Sequence, residues 1–170
     1  MTKYTSKILD FYINDLPNDE GITLKQMINS SDWDLEKSHT WIQWLFPLHE
    51  TSRHNFNGPV LTEEDIKILQ SSDKATTNIL SCLERFRLFY GIGNHWNVDK
   101  QSWCAFRNHN LLRITRIIRS LRLFGLRKES FVFYSEAEIV ARANVSQVGE
   151  ETLDFWRRAY CNPVMQTMLK

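Results

Sequence analysis

At 170 residues, with 42% hydrophobic residues including six Trp and ten Phe, the chain is long enough to bury a real core and too apolar for a disordered or low-complexity segment. Six Gly and four Pro are few for a loop-rich all-β domain, and three widely spaced cysteines, Cys82, Cys104 and Cys161, form no C-x-x-C pair and read as reduced core thiols. The net charge of +1 conceals a segregation: residues 100–128 hold eight Lys/Arg (Lys100, Arg107, Arg113, Arg116, Arg119, Arg122, Arg127, Lys128) and no acid, leaving 13 cations against 20 anions elsewhere.

The first residues lack a signal peptide's apolar run. The most apolar uncharged stretch, 41–48, is too short to span a bilayer and contains Pro47. No lipidation motif or lysine block of a nuclear signal stands in the sequence. The expectation is a soluble, cytoplasmic protein, nuclear only in a eukaryotic setting, with no membrane-spanning segment.

In chain order, the spacing predicts a first helix over 3–14, with Ile8, Leu9, Phe11 and Tyr12 on its buried side. Pro17 and Gly21 interrupt it, Thr23 caps a short helix through Ile28, and Asp34 caps another that runs to Phe46 before Pro47. Thr62-Glu63-Glu64-Asp65 opens a long helical region that bends near Ser71-Ser72-Asp73, continues to Tyr90 and stops at Gly91. A basic helix is predicted over 102–124, closed by Gly125. Residues 131–134 read as a short extended segment, and Ser135-Glu136-Ala137-Glu138 as a capping box opening the next helix. A last helix covers 150–160, ahead of Asn162-Pro163. No repeat or linker marks a second domain. The expected architecture is all-α, a single compact domain over 1–170 with about six to seven helices.

At 100° per residue, Ile114, Ile117, Ile118, Leu121 and Phe124 form one apolar face of the basic helix. Arg119 and Arg122 point away from that face and are expected in solvent. His109, Arg113, Arg116 and Ser120 stack as a polar stripe flanked by apolar residues on both sides. Semi-buried guanidinium groups need anions, since an uncompensated one costs on the order of several kcal/mol. The anion is either a carboxylate of the acidic remainder or the phosphate or carboxylate of a ligand gripped bidentately.

A second polar cluster lies in SHTWIQWLFPL, residues 38–48. Trp41, Trp44 and Leu45 share one helical face, and His39 and Gln43, four apart, share the other. That pair is either a buried hydrogen-bond anchor or, if it meets His109 and the arginines, part of a ligand site. No metal or cofactor is expected: His49 and His54 lack Cys or carboxylate partners at ligand spacing, and Gly91-Ile92-Gly93 is a helix stop rather than a nucleotide fingerprint. No catalytic residue is assigned. Two histidines near arginines serve acid–base chemistry only if both reach one substrate.

The stretch 38–48 followed by Glu50, and HNLLRITRIIRSL at 109–121, resemble the two hallmark segments of the opioid growth factor receptor conserved region. FYINDLP at 11–17 with Gly21, and LT-EED-I at 61–66, resemble the same family's beginning and middle, so the likeness runs over about 11–160. The positions that carry over are His39, Ile42, Gln43, Trp44, Leu45, Phe46, Pro47, His109, Asn110, Leu112, Arg113, Ile114, Thr115, Arg116 and Ile117. The resemblance implies a domain whose animal members are associated with binding the pentapeptide Met-enkephalin and with restraining proliferation from the nucleus, without settled catalytic residues. Because the family's long tail, repeats and nuclear signals are missing from this sequence, a stand-alone short form is expected.

Together these readings give a receptor-like, peptide- or ligand-binding regulatory domain. His39, Gln43, Trp44, His109, Arg113 and Arg116 are its candidate contacts for a small anionic ligand or peptide. The alternative is binding of nucleic acid or an acidic protein partner through a basic surface of Lys100, Arg119, Arg122, Arg127 and Lys128.

Overall fold

Hydroxyl and amide side chains that satisfy the free amides of a first turn set most of the helix starts. The computed structural model describes residue 4 and residues 6–164. Ser6 caps α1 (Lys7–Ile13), Ser31 caps α3 (Asp32–Lys37), and reciprocal capping boxes open α2 (Leu24–Ile28) from Thr23/Gln26 and α5 (Glu63–Ser71) from Thr62/Asp65. Ser72 breaks the long helical region, its hydroxyl accepting from Ala75 N at 3.1 Å as α6 (Asp73–Tyr90) begins. Asn108 caps α7 (His109–Leu123). The remaining helices are α4 (Trp41–Leu45), α8 (Arg127–Ala143), α9 (Val145–Val148) and α10 (Glu150–Cys161), with 3-10 turns at Gly93–His95 and Val98–Lys100. Among the described residues there are ten α-helices and no strand, only an isolated bridge between Leu48 and Val60. The all-α class holds, with more helices than the six to seven expected.

Several boundaries differ from the sequence reading, among them the cap of α3, which is Ser31 rather than Asp34. The helix expected over 34–46 is two helices, because Ser38 is extended (φ −81°, ψ 136°) and the chain bends through 38–40. Trp41 Nε1 donates to the Leu35 carbonyl at 2.9 Å across that bend, so the apolar spacing persists while the backbone does not. The basic helix starts at His109 rather than Ser102: Trp103 Nε1 is tied to the Tyr90 carbonyl at 3.0 Å, and Arg107 takes φ 54°, outside the helical region. Residues 131–134 are helical and Ser135 is interior to α8, since burial of Phe133 and Tyr134 overrides the strand preference of that run. Of the first predicted helix, α1 keeps Lys7–Ile13, whereas Lys3 lies outside the described residues.

The chain divides into two compact units, Met1–Cys82 and Leu83–Lys170, with the boundary inside α6. Seven Lys/Arg face twelve Asp/Glu in the first, and fourteen face eight in the second. In the first unit Phe11 packs on Trp44, with ring centroids 5.2 Å apart, and the Tyr12 hydroxyl donates to the Leu45 carbonyl. Asn78 Nδ2 holds the Tyr12 carbonyl at 2.8 Å, and Ser6 Oγ donates to the buried carboxylate of Asp65 at 2.6 Å. In the second unit α7 packs on α8 and α10 around Ile114, Ile117, Ile118, Leu121, Phe133, Ala137 and Trp156, all fully buried.

Gly91 ends α6 at φ +63°, and its carbonyl accepts from Asn97 N at 3.1 Å and Gln101 Nε2 at 2.9 Å. A Cβ at this position would lie 2.4 Å from the Asn97 carbonyl oxygen. At Gly21, also at positive φ, nothing lies within 4 Å of that point. Gly91→Ala is therefore expected to destabilise by about 2–4 kcal/mol and Gly21→Ala by about 1 kcal/mol, read as a large and a small fall in the thermal midpoint by circular dichroism.

Candidate functional site

The polar stripe read from the sequence sits on α7. His109 and Arg116 are half-buried, Ser120 is fully buried, and Arg113 is only 5% exposed. Arg113 Nη1 donates to Asn110 Oδ1 at 3.2 Å, and the Tyr90 hydroxyl donates to the same oxygen at 3.4 Å. Asn110, itself buried, thus brings a neutral acceptor to a buried guanidinium. Two hydrogen bonds to backbone carbonyls clamp the helix: Trp156 Nε1 to Leu111 O at 3.1 Å and Ser130 Oγ to Ile118 O at 2.9 Å. The stripe is consequently held on a rigid element, with two guanidinium groups one turn apart.

Of the five residues expected on a basic surface, Arg119 does not belong there. It is 3% exposed, and its Nε donates to the Pro163 carbonyl at 3.1 Å. The α7 positions outside the apolar face were read as solvated because helical periodicity does not register a later segment covering them; here the turn after α10 does so. Arg122 is half-buried with its guanidinium over the Tyr160 ring, 5.1 Å from the centroid. Lys100 is half-buried, while Arg127 and Lys128 are exposed.

His39, Gln43 and Trp44 belong to the first unit, and His109, Arg113 and Arg116 to the second. His39 lies in the bend before α4, so it and Gln43 do not share a helix face as expected. The His39 side chain is exposed, whereas Gln43 is buried. With its amide oriented to satisfy the bend, Gln43 donates to the carbonyls of Thr40 at 2.6 Å and His39 at 3.1 Å. Trp44 is core, yet its edge lines a shallow recess of about 220 Å³ with Ser6, Lys7, Asp19, Gly58 and Asp65. Gly58 allows this close packing: a Cβ there would meet Gln43 Cβ at 3.1 Å.

Several groups escaped the sequence reading. Arg87 Nε donates to Glu136 Oε2 at 2.8 Å, an ion pair between residues 49 apart. Phe131, Tyr134 and Tyr160 form an aromatic cluster from α8 and α10, with centroids 5.4–6.4 Å apart. Their spacing within α8 was hidden by the reading of 131–134 as extended. Among the described residues no group of three or more His, Cys, Asp or Glu is arranged to hold a metal, and no helix is long and apolar enough to cross a membrane. Burial pushes the Cys82 and Cys104 thiols each up to about 12, while Cys161 is exposed.

These features define an all-α domain whose second unit carries a partly buried polar stripe on one clamped amphipathic helix. Residues 2–164 match the opioid growth factor receptor conserved region, and the chain belongs to that family. It is 34% identical to opioid growth factor receptor-like protein 1 of Xenopus tropicalis, over 69% of this chain and 25% of that protein. Identity to the human opioid growth factor receptor is 31%, over 87% of this chain and 24% of that protein. The mouse opioid growth factor receptor-like protein 1 is 29% identical, over 87% and 35%. The chain therefore spans only about a quarter to a third of these relatives. No solved structure matches it.

Gln43→Leu leaves two bend carbonyls without their donor and is expected to destabilise by about 1–3 kcal/mol, against less than about 0.5 kcal/mol for His39→Ala, measured by urea unfolding. Cysteine labelling at pH 8 separates the thiols, because only the thiolate reacts. With pKa values near 12, Cys82 and Cys104 are about one part in ten thousand ionised at that pH. Mass spectrometry after brief iodoacetamide treatment should find Cys161 modified first, and Cys82 only after unfolding.

Proposed function

We propose that this chain is a receptor-like binding domain that recognises the anionic end of a small ligand or peptide through His109, Arg113 and Arg116. One observation carries the reading: two guanidinium groups, one buried and one half-buried, stand one turn apart on an amphipathic helix that is fixed by hydrogen bonds to its carbonyls. Guanidinium forks in such surroundings bind carboxylate or phosphate more strongly than in water, because the site excludes competing solvent. Relatives that carry this conserved region are named opioid growth factor receptors, which makes a short peptide with a free carboxylate the ligand class to test first. In this reading Gln43 shapes the bend before α4 and is not a contact. His39, exposed in the first unit, and Trp44, a core ring lining that unit's recess, are not part of the α7 stripe. The alternative of a phosphate track along 100–128 is weakened by the burial of Arg119.

Calorimetric titration with Met-enkephalin and with its C-terminal amide tests the proposal. The free acid should bind the wild type at least about tenfold tighter than the amide, as one charge-assisted contact of about 1.5–3 kcal/mol requires. Arg113→Ala/Arg116→Ala should erase that difference, and Arg113→Lys should keep part of it. Equal binding of acid and amide, or a double variant that unfolds while Arg116→Ala alone keeps full discrimination, would assign the arginines to structure instead.

A further inference from the structure

The second unit carries a cationic–aromatic surface away from the α7 stripe, built where the C-terminal end of α7 meets the start of α8 and the end of α10. Tyr160 is its centre. Its ring stacks on Tyr134 at 6.0 Å with 19° between planes, Arg122 lies over it, and Arg127 Nε donates to its hydroxyl at 3.4 Å. Phe131 packs on Tyr160 at 5.4 Å and is still 50% exposed.

The charges here are not balanced internally. Arg122, Arg127 and Lys128 have no ion pair with an acid among the described residues, and Arg122 Nε is buried without a hydrogen-bond acceptor there. The nearby acids are engaged elsewhere. Glu138 accepts from Arg142 at 2.7 Å and from the Tyr134 hydroxyl at 3.2 Å, and Asp154 holds both Arg157 and Arg158. Glu129 stands in the first turn of α8, where the helix's own amides favour an anion.

We infer that this surface docks an acidic, aromatic- or aliphatic-bearing segment of a partner protein. Carboxylates of that segment would meet the open edges of Arg122, Arg127 and Lys128, and an apolar side chain beside them would cover Phe131. Arginine and large aromatics are the side chains that dominate the energy of protein interfaces, and charge complementarity selects the partner's sign. Nucleic acid fits less well. Its affinity scales with the number of phosphates neutralised, and burial of Arg119 interrupts the track. Tyr160 is already stacked on Tyr134 and lies under Arg122, so Phe131 is the ring of this cluster most open to a base.

Fluorescence anisotropy of the intact chain against two labelled probes decides the matter: a short peptide alternating Glu with Phe and Gly, and an oligo(dT) of equal charge. The peptide should bind, Arg127→Glu/Lys128→Glu should weaken it at least about tenfold, and Phe131→Ala should weaken it severalfold. All three positions are exposed, so thermal midpoints should stay within a few degrees of the wild type. The Arg127→Glu/Lys128→Glu variant should keep the acid-over-amide preference of the α7 site, which separates this surface from the α7 stripe. Tighter binding of oligo(dT) than of the peptide, no binding of the peptide, or charge-reversal variants that bind it as well as the wild type would each overturn the inference.

Discussion

The second unit depends on keeping α7 in one place while it buries charge. A helix surrounded by isoleucine and aromatic side chains has no directional reason to stop sliding or rotating, since apolar contact is non-directional. Direction comes from two carbonyls, those of Leu111 and Ile118, which accept from Trp156 and Ser130 in addition to their places in the helix. These bonds lie about two turns apart and engage two different neighbouring helices. With α7 pinned at both points, the guanidinium of Arg113 meets Asn110 and that of Arg119 meets the Pro163 carbonyl. Rotation of the helix would take Arg119 from the Pro163 carbonyl and Asn110 from the Tyr90 hydroxyl, so the polar bonds give the apolar core its register.

The pattern of apolar residues made the all-α class, the break at Ser72, the stop at Gly91 and the Thr23 and Thr62 caps legible before any coordinates, because each rests on local chemistry. Local chemistry was also what misled. Phe131–Tyr134 carries a strand-like composition, and only its burial between partners makes it helical. Periodicity placed Arg113 and Arg116 at the margin of the core, and burial agrees. It put Arg119 in solvent because nothing in residues 109–124 announces that Pro163, forty-four positions later, will supply a carbonyl.

The candidate site was legible in part for the same reason. Its helix, its stripe and the family resemblance are all carried by contiguous residues. Asn110, carried over by the family resemblance, is the acceptor beside Arg113, a role its short uncharged side chain does not announce, and Gln43 changed meaning once the backbone bent at residues 38–40. Polar residues near a core can look alike in sequence whether they serve a ligand or a backbone carbonyl. The distinction lies in which groups the fold brings within about 3 Å of them.

The boundary inside α6 bears on how the protein can be taken apart. A fragment ending at Cys82 keeps ten of the helix's eighteen residues, fewer than an isolated helix needs to hold in water. The carbonyls of residues 79–82 would lose the amides of 83–86 that bond them, and Ile79 and Cys82, fully buried in the intact chain, would sit in a fraying end. A cut at this boundary therefore severs a helix rather than a linker.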